Sequence, residues 1–370
     1  MREQAKDSNG RSRYQSRLDR LREDLRRISA DAIIVSHLPN IRYLCGFSGS
    51  AGVLLVGADT ATFFTDSRYT IQAHHEVRGP SVKIAKKAPL KAAGELVRSR
   101  RSFRRIAYSP AQMTVAQKQA LDSTISRSVR WIDDAGAIEN LREVKDSGEI
   151  ATIREAAAVV SKTFDRTRRI LHLGMTELAL AAEIERDFKK QGAEGPSFET
   201  IVASGERSAW PHARPTAKTI ARNELVVLDQ GAILRGYCSD MTRTVFLGKA
   251  SRRVRSLYRA VLDALEAGKA AAKPGGKTQD VDAAARNVLR RAGLGRYFTH
   301  STGHGIGLEI HEAPRIGKGD ETVLAEGMVV TVEPGVYIEG LGGIRIEDDI
   351  VITARGAEEL TTAPRNLIEL

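Results

Sequence analysis

Residues 226–245 read VVLDQGAILRGYCSDMTRTV, and this stretch decides how the rest of the chain is understood. Val226 to Leu228 form a β-branched apolar run that stops at Asp229, glycines at 231 and 236 interrupt it, and Asp240 opens a second run rich in Thr, Val and Phe. That is the pattern of a β-hairpin. Facing residues in paired strands sit about 5 Å apart, so the hairpin can hold Asp229 and Asp240 side by side on one face. Two carboxylates about 4 Å apart repel by about 4 kcal/mol at an effective dielectric near 20, so they share a proton, bind a cation or move apart. From this stretch alone, a pair of solvated turn aspartates is an equally good reading.

A second copy of the pattern lies further along. Val330-Thr331-Val332-Glu333-x-Gly335 echoes Val226-Val227-Leu228-Asp229-x-Gly231, and Glu347 echoes Asp240. Each hairpin follows the same sequence of elements: a long helix, a glycine turn, a threonine suited to capping (Thr176, Thr278), a second helix and a terminating glycine (Gly192, Gly293). The paired landmarks Thr176/Thr278, Gly192/Gly293, Asp229/Glu333 and Asp240/Glu347 are 102, 101, 104 and 107 residues apart. A near-constant offset over caps, glycines and acids implies an internal repeat with pseudo-two-fold symmetry and four acids at its centre. Four carboxylates at one locus call for cations, and oxygen ligands suit Mn²⁺, Mg²⁺, Co²⁺ or Zn²⁺. Alternation along the second hairpin puts Arg345 and Glu347 on one face and makes Asp349 a rival ligand.

Histidines accompany the acids. His212 lies in AWPHARP, and His300, His304 and His311 lie in FTHSTGHGIGLEIHEAP. Gly303 and Gly305 flank His304, which would let the backbone approach a metal or substrate. His37, His74, His75 and His172 have no such setting and read as structural or surface residues.

Upstream, strands are expected at Ala32–Ser36, Gly52–Val56, Thr60–Thr65, Val82–Ala85, Arg105–Tyr108 and Ser128–Ile132, with helices near 67–77, 89–100 and 114–124. The alternation gives an α/β domain over 13–140, after a polar segment, 1–12, expected to be disordered. A boundary near 134–146 precedes a long helix capped by Asp146 with Glu149, which opens a second domain over 141–370.

Composition bounds the function. The 370 residues carry a formal charge of +11, with 42% hydrophobic and 28% charged residues. The start has no apolar signal-like core and no run could span a bilayer, so secretion and membrane insertion are not expected. Cys45 and Cys238 give no disulfide framework, in keeping with a reducing cytoplasm. The Arg clusters at 98–105, 166–169 and 252–255 have few interleaved aromatics and no nucleic-acid motif, so they read as solvated faces rather than as a nucleic-acid patch.

Taken together, PHARP, LDQGAILRGYCSDMTRT, HSTGHGIGLEIHEAP, VEPGVY and GIRIED, in this order over about 145–366, resemble the pita-bread metallopeptidase family. That family includes Xaa-Pro aminopeptidases, Xaa-Pro dipeptidases (prolidases), methionine aminopeptidases and creatinase. NIRYLCGFSGSAG and FTDSRYT look like the smaller, creatinase-type α/β amino-terminal domain of its proline-directed branch. The resemblance implies an α/β (α+β) fold ending in a pita-bread domain. It further implies a dinuclear centre held by Asp229, Asp240, His304, Glu333 and Glu347, with Asp240 and Glu347 bridging two divalent ions, Mn²⁺ foremost and Co²⁺ or Zn²⁺ as alternatives. His212, His300 and His311 would line the substrate site, with Tyr337 and Arg345 in support. The five intact ligands argue against creatinase, and the amino-terminal domain argues against methionine aminopeptidase.

Such a centre lowers the pKa of a bridging water from 15.7 toward about 7, making a nucleophile for a peptide carbonyl. Glu333 is the expected proton shuttle, with His311 or His212 at the oxyanion and His300 near the proline ring or leaving nitrogen. The expected activity is Xaa-Pro aminopeptidase, with strict Xaa-Pro dipeptidase as the alternative. A non-catalytic binding protein on the same fold is a third reading, which the intact ligands oppose. Proline-containing peptides and a second copy of the chain, as a homodimer, are the expected partners.

Overall fold

The computed structural model describes residues 12–370, so the expected disorder over 1–12 lies, apart from Ser12, outside the described residues. The chain forms two compact units that divide between Arg142 and Glu143.

The amino-terminal unit is built on a six-stranded mixed sheet. Its strands run in the order Ser81–Ile84, Ala61–Thr65, Val53–Gly57, Ala32–Val35, Arg105–Tyr108 and Arg130–Asp133. The three middle-to-left strands pair antiparallel, and the outer pairings are parallel. Ala32–Val35 and Val53–Gly57 are buried on both faces, which is why they read as continuous apolar runs without alternation. The helix Arg13–Arg27 buries Leu18, Leu21 and Leu25 at helical spacing. Each strand lies within two residues of its expected position; Ser128–Ile132 is displaced to Arg130–Asp133 because 126–129 form a turn closed by Val129 N–H to Ser126 O.

The carboxy-terminal unit repeats one plan twice. Helices Ser147–Ile170 and Glu177–Lys190 pack on the strands Ile201–Ser204, Glu224–Gln230 and Met241–Leu247. Helices Arg252–Ala271 and Thr278–Arg291 pack on Val329–Val332, Gly335–Ile338 and Asp348–Thr353. Phe164, Leu180, Ile184 and Phe188 fill the first core, and Val261, Leu265, Val281 and Leu289 the second, all almost fully buried. Each such side chain contributes about 1.5–3 kcal/mol on leaving water. Strand order repeats too: the strand before the first acid pairs with the acid-bearing strand, which pairs with its return strand, antiparallel in both copies.

Asp146 and Glu149 form the expected capping box, and Thr176 caps its helix. Thr278 does not cap the equivalent helix. It is the first helical residue, and its hydroxyl donates to Asp320 instead. The hairpin at 226–245 also departs from a simple two-stranded form, because a small inner hairpin, Ala232–Leu234 with Tyr237–Cys238, interrupts it. As a result Asp229 faces Thr242, and Asp240 sits diagonally beside it, just ahead of its strand. Both cysteines are buried and free. No helix among the described residues is long and apolar enough to cross a membrane.

Candidate metal centre

The pseudo-repeat places its four acids at strand ends. Asp229 is next to last in Glu224–Gln230, Asp240 precedes Met241, Glu333 follows Val332, and Glu347 precedes Asp348. His304 is the middle residue of the short strand Gly303–Gly305. These five line one cleft of about 540 Å³, together with His212, His300, His311 and Arg345. The structure therefore brings every expected site residue to one place, with Tyr337 reached through His300 and Arg345.

Hydrogen bonds hold Asp229 and Glu347 by one carboxylate oxygen and leave the other without a partner. Arg345 Nη2 donates to Asp229 Oδ2 at 2.6 Å. The Thr242 hydroxyl donates to Glu347 Oε2 at 2.7 Å while accepting from Arg345 Nε at 3.0 Å. Asp229 Oδ1, Asp240 Oδ1 and Glu347 Oε1 are buried and have no hydrogen-bond partner among the described residues. An unpartnered buried oxygen costs about 1–3 kcal/mol, more when charged, unless a cation takes it. Ligand atoms of Asp240, His304 and Glu347 all lie within 4.8 Å of one another. His304 Nε2 is 3.8 Å from Asp240 Oδ2 and 3.6 Å from Glu333 Oε1.

The electrostatics agree with the geometry. Burial, then repulsion from Glu347 and Asp229, pushes Asp240 well above the usual carboxylate range. Burial and then Glu333 do the same to Glu347, and burial lifts Glu333 to about 7. Burial lowers His304 to about 4, so its imidazole is neutral at pH 7. With Nδ1 donating to the Gly305 carbonyl at 3.1 Å, the Nε2 lone pair points among the acids, as a metal ligand requires. This donor set of carboxylates with one imidazole fits a hard or borderline divalent ion.

Beyond the ligands, Arg345 Nη1 donates to the Tyr337 hydroxyl at 2.6 Å. His300 Nδ1 faces the Ser301 carbonyl at 2.7 Å and its Nε2 faces the Tyr337 hydroxyl at 2.9 Å. The bonds are mutually consistent only when His300 donates from Nδ1 and Tyr337 donates to Nε2. Asp229, Arg345, Tyr337 and His300 thus form one ordered chain.

One expectation needs correction. Asp349 does not line the cleft that the other four acids share; its Oδ2 accepts the Asp240 backbone N–H at 2.8 Å. The alternation argument for it fails because Ile346 and Glu347 break the strand between Gly342–Arg345 and Asp348–Thr353. Gly303 and Gly305 are required by neighbouring strands, since a Cβ there would sit 2.0 Å from Thr331 O and 2.2 Å from Ala313 O, and Gly303 also lines the cleft.

Sequence reasoning missed the buried ion cluster behind Glu347. Arg243 bonds Asp348 Oδ1 at 2.8 Å, the Thr242 carbonyl at 2.9 Å and the Glu347 carbonyl, and Lys269 reaches Asp348 Oδ2 at 3.1 Å. Burial would raise Asp348, but Arg243, Lys269 and Arg365 outweigh it and hold the carboxyl at about 2. The signal was a lone charged residue inside a strand, Arg243 in Met241–Leu247.

Comparison with known proteins matches residues 151–354 to metallopeptidase family M24 and residues 17–144 to the creatinase/prolidase N-terminal domain. The chain belongs to metallopeptidase family M24. A relative named Xaa-Pro dipeptidase from Pyrococcus horikoshii is 38% identical, over 92% of this chain and 95% of its own length. Among solved structures, the Xaa-Pro dipeptidase from Bacillus anthracis superposes with a TM-score of 0.93 at 38% identity, covering 96% of this chain and all of its own. The X-Pro aminopeptidase from Thermotoga maritima superposes with a TM-score of 0.87 at 37% identity, covering 94% of this chain and all of its own. This M24 chain, with its creatinase-type amino-terminal domain and pita-bread carboxy-terminal domain, is a metal-dependent hydrolase whose ions are divalent.

Proposed function

We propose that this M24 enzyme hydrolyses the Xaa-Pro bond at the amino terminus of peptides, with two divalent ions, Mn²⁺ foremost, held by Asp229, Asp240, His304, Glu333 and Glu347. The convergence of unpartnered Asp229, Asp240 and Glu347 oxygens with the neutral His304 lone pair carries this reading. Bound there, the ions supply a water acidic enough to attack and a Lewis acid for the scissile carbonyl.

The chain's own residues do the rest. Glu333 takes the proton from the attacking water and delivers it to the proline nitrogen as the C–N bond breaks. His212 and His311, both at the cleft surface, donate to the oxygen that becomes negative. His300, fixed by Tyr337 and Ser301, borders the leaving side. Phe198, Ile201 and Ile310 also line the cleft and offer apolar contact to the Xaa side chain and proline ring. An imide nitrogen carries no hydrogen, so a cleft that does not ask for an N–H there tolerates proline where other sites reject it.

The printed names of relatives favour the dipeptidase alternative, whereas a second cleft bordering His300 favours longer peptides. A length series of Xaa-Pro, Xaa-Pro-Xaa and longer peptides decides between them. Turnover of the longer peptides supports the aminopeptidase; turnover of the dipeptide alone overturns it.

A further inference from the structure

A second cleft, of about 520 Å³, opens beside the catalytic one and shares His300, Ser301 and Arg315 with it. Arg286, Arg290, Arg315 and Lys318 line it, and no carboxylate does. Arg286 is committed: it grips Asp282 through two bonds of 2.7 and 2.9 Å and holds the Phe298 and His300 carbonyls. The other three are not. Arg290 bonds only the neutral Asn287, Arg315 bonds the Ser301 hydroxyl at 2.8 Å, and neither they nor Lys318 has a carboxylate within salt-bridge distance among the described residues. Asp320, whose carboxyl Arg315 helps to lower, is bonded to Thr278 and the Thr322 N–H.

A helix end explains one of these charges. Arg290 stands in the last turn of Thr278–Arg291, where a cation complements the helix dipole. Arg315 lies on the strand Glu312–Ile316 and Lys318 just beyond it, where no helix terminus accounts for them. Three cations without a salt-bridge partner among the described residues, set around one concavity, raise the local concentration of anions and suit carboxylates, which arginine binds through paired N–H donors.

The position of the cleft says which anion. His300 belongs to both clefts: its ring meets Tyr337 on the metal side, and its carbonyl meets Arg286 on the other. Ser301 and Arg315 line both clefts as well, so a peptide whose proline nitrogen lay near His300 would meet the basic cleft next. We infer that Arg290, Arg315 and Lys318 form a downstream subsite that selects peptides with acidic side chains after the proline. This inference rests on the proposed Xaa-Pro activity and names its substrate class.

The test compares Ala-Pro-Glu-Glu with its near-isosteric partner Ala-Pro-Gln-Gln, using full-length Mn²⁺-loaded enzyme at low salt. The acidic peptide is expected to have a kcat/KM about tenfold higher, the worth of one charge-assisted hydrogen bond. Arg290→Ala/Lys318→Ala should bring the ratio close to one, as should 1 M salt, where charges are screened beyond about 3 Å. Arg100→Ala/Arg101→Ala, which removes equal charge from the other unit, should keep the preference. A ratio near one in the wild type, or a preference that survives in the Arg290/Lys318 variant, overturns the subsite. Binding of the two peptides with a CH₂–N bond replacing the scissile amide separates the two readings. If no Xaa-Pro peptide is cut, the proposed activity fails, yet tighter binding of the acidic analogue still supports the subsite and equal binding overturns it.

Discussion

Arg345 and Asp229 form a buried ion pair, Nη2 to Oδ2 at 2.6 Å, that joins the two copies of the repeat at the metal centre. The same guanidinium holds Thr242 and Tyr337, so one side chain fixes an acid from the first copy and a hydroxyl from each. Arg345→Met leaves Asp229 buried without its cation. Removing one partner of such a pair costs about 3–5 kcal/mol, and disturbing a group that orients a ligand weakens metal affinity about 10–100-fold. Calorimetric Mn²⁺ titration and thermal unfolding check both effects. Unchanged affinity and Tm would show that Asp229 orients itself without Arg345.

Thr242 orients Glu347 through a single hydroxyl. Thr242→Val keeps the shape and removes the donor, so Mn²⁺ affinity should fall about 10-fold or more, whereas Thr242→Ser should stay close to the wild type. Equal affinities for the two variants would remove Thr242 from this role.

Gly305→Ala puts a methyl group 2.2 Å from the Ala313 carbonyl oxygen, a contact that backbone must move to relieve. Overpacking of this kind costs about 1–3 kcal/mol. A lowered Tm is expected even in metal-free protein, and a Tm equal to the wild type would contradict the reason given for this glycine.

What the sequence could and could not disclose follows from the range of each interaction. The paired acids, the glycine turns and the helix stripes were legible because each is a local pattern, and the repeat presented each of them twice. Asp349 was misread because alternation holds only along an unbroken strand, and the break at Ile346–Glu347 comes from pairing with different neighbours on either side. Thr278 looked like a cap until Asp320, 42 residues away, claimed its hydroxyl. Arg243 and Asp348 are 105 residues apart, and nothing local in either announces the other.

Asp282 supplies the pH-dependent prediction. Burial raises its carboxyl, but Arg286 and Thr302 outweigh burial and hold it below 3.8. A depressed folded-state pKa means the stabilisation is complete above the unfolded value and is lost as pH falls through the folded one. The wild type should therefore be more stable than Asp282→Asn at pH 6, with the gap closing as pH drops below 3.8. Denaturant unfolding at stepped pH measures the gap; a difference that widens toward acid would reverse the sign and refute the assignment.

On the proposed function, the five converging residues hold metal for cleavage at proline. The most direct measurement is hydrolysis of an Ala-Pro peptide by chelator-treated protein before and after Mn²⁺ is restored, with Glu333→Gln alongside. No turnover is expected without metal, with recovery on reloading and a loss in Glu333→Gln of at least the roughly 10²-fold that a positioned proton carrier contributes. Turnover that survives chelation, or a Glu333→Gln enzyme close to wild-type activity, would contradict the proposed function.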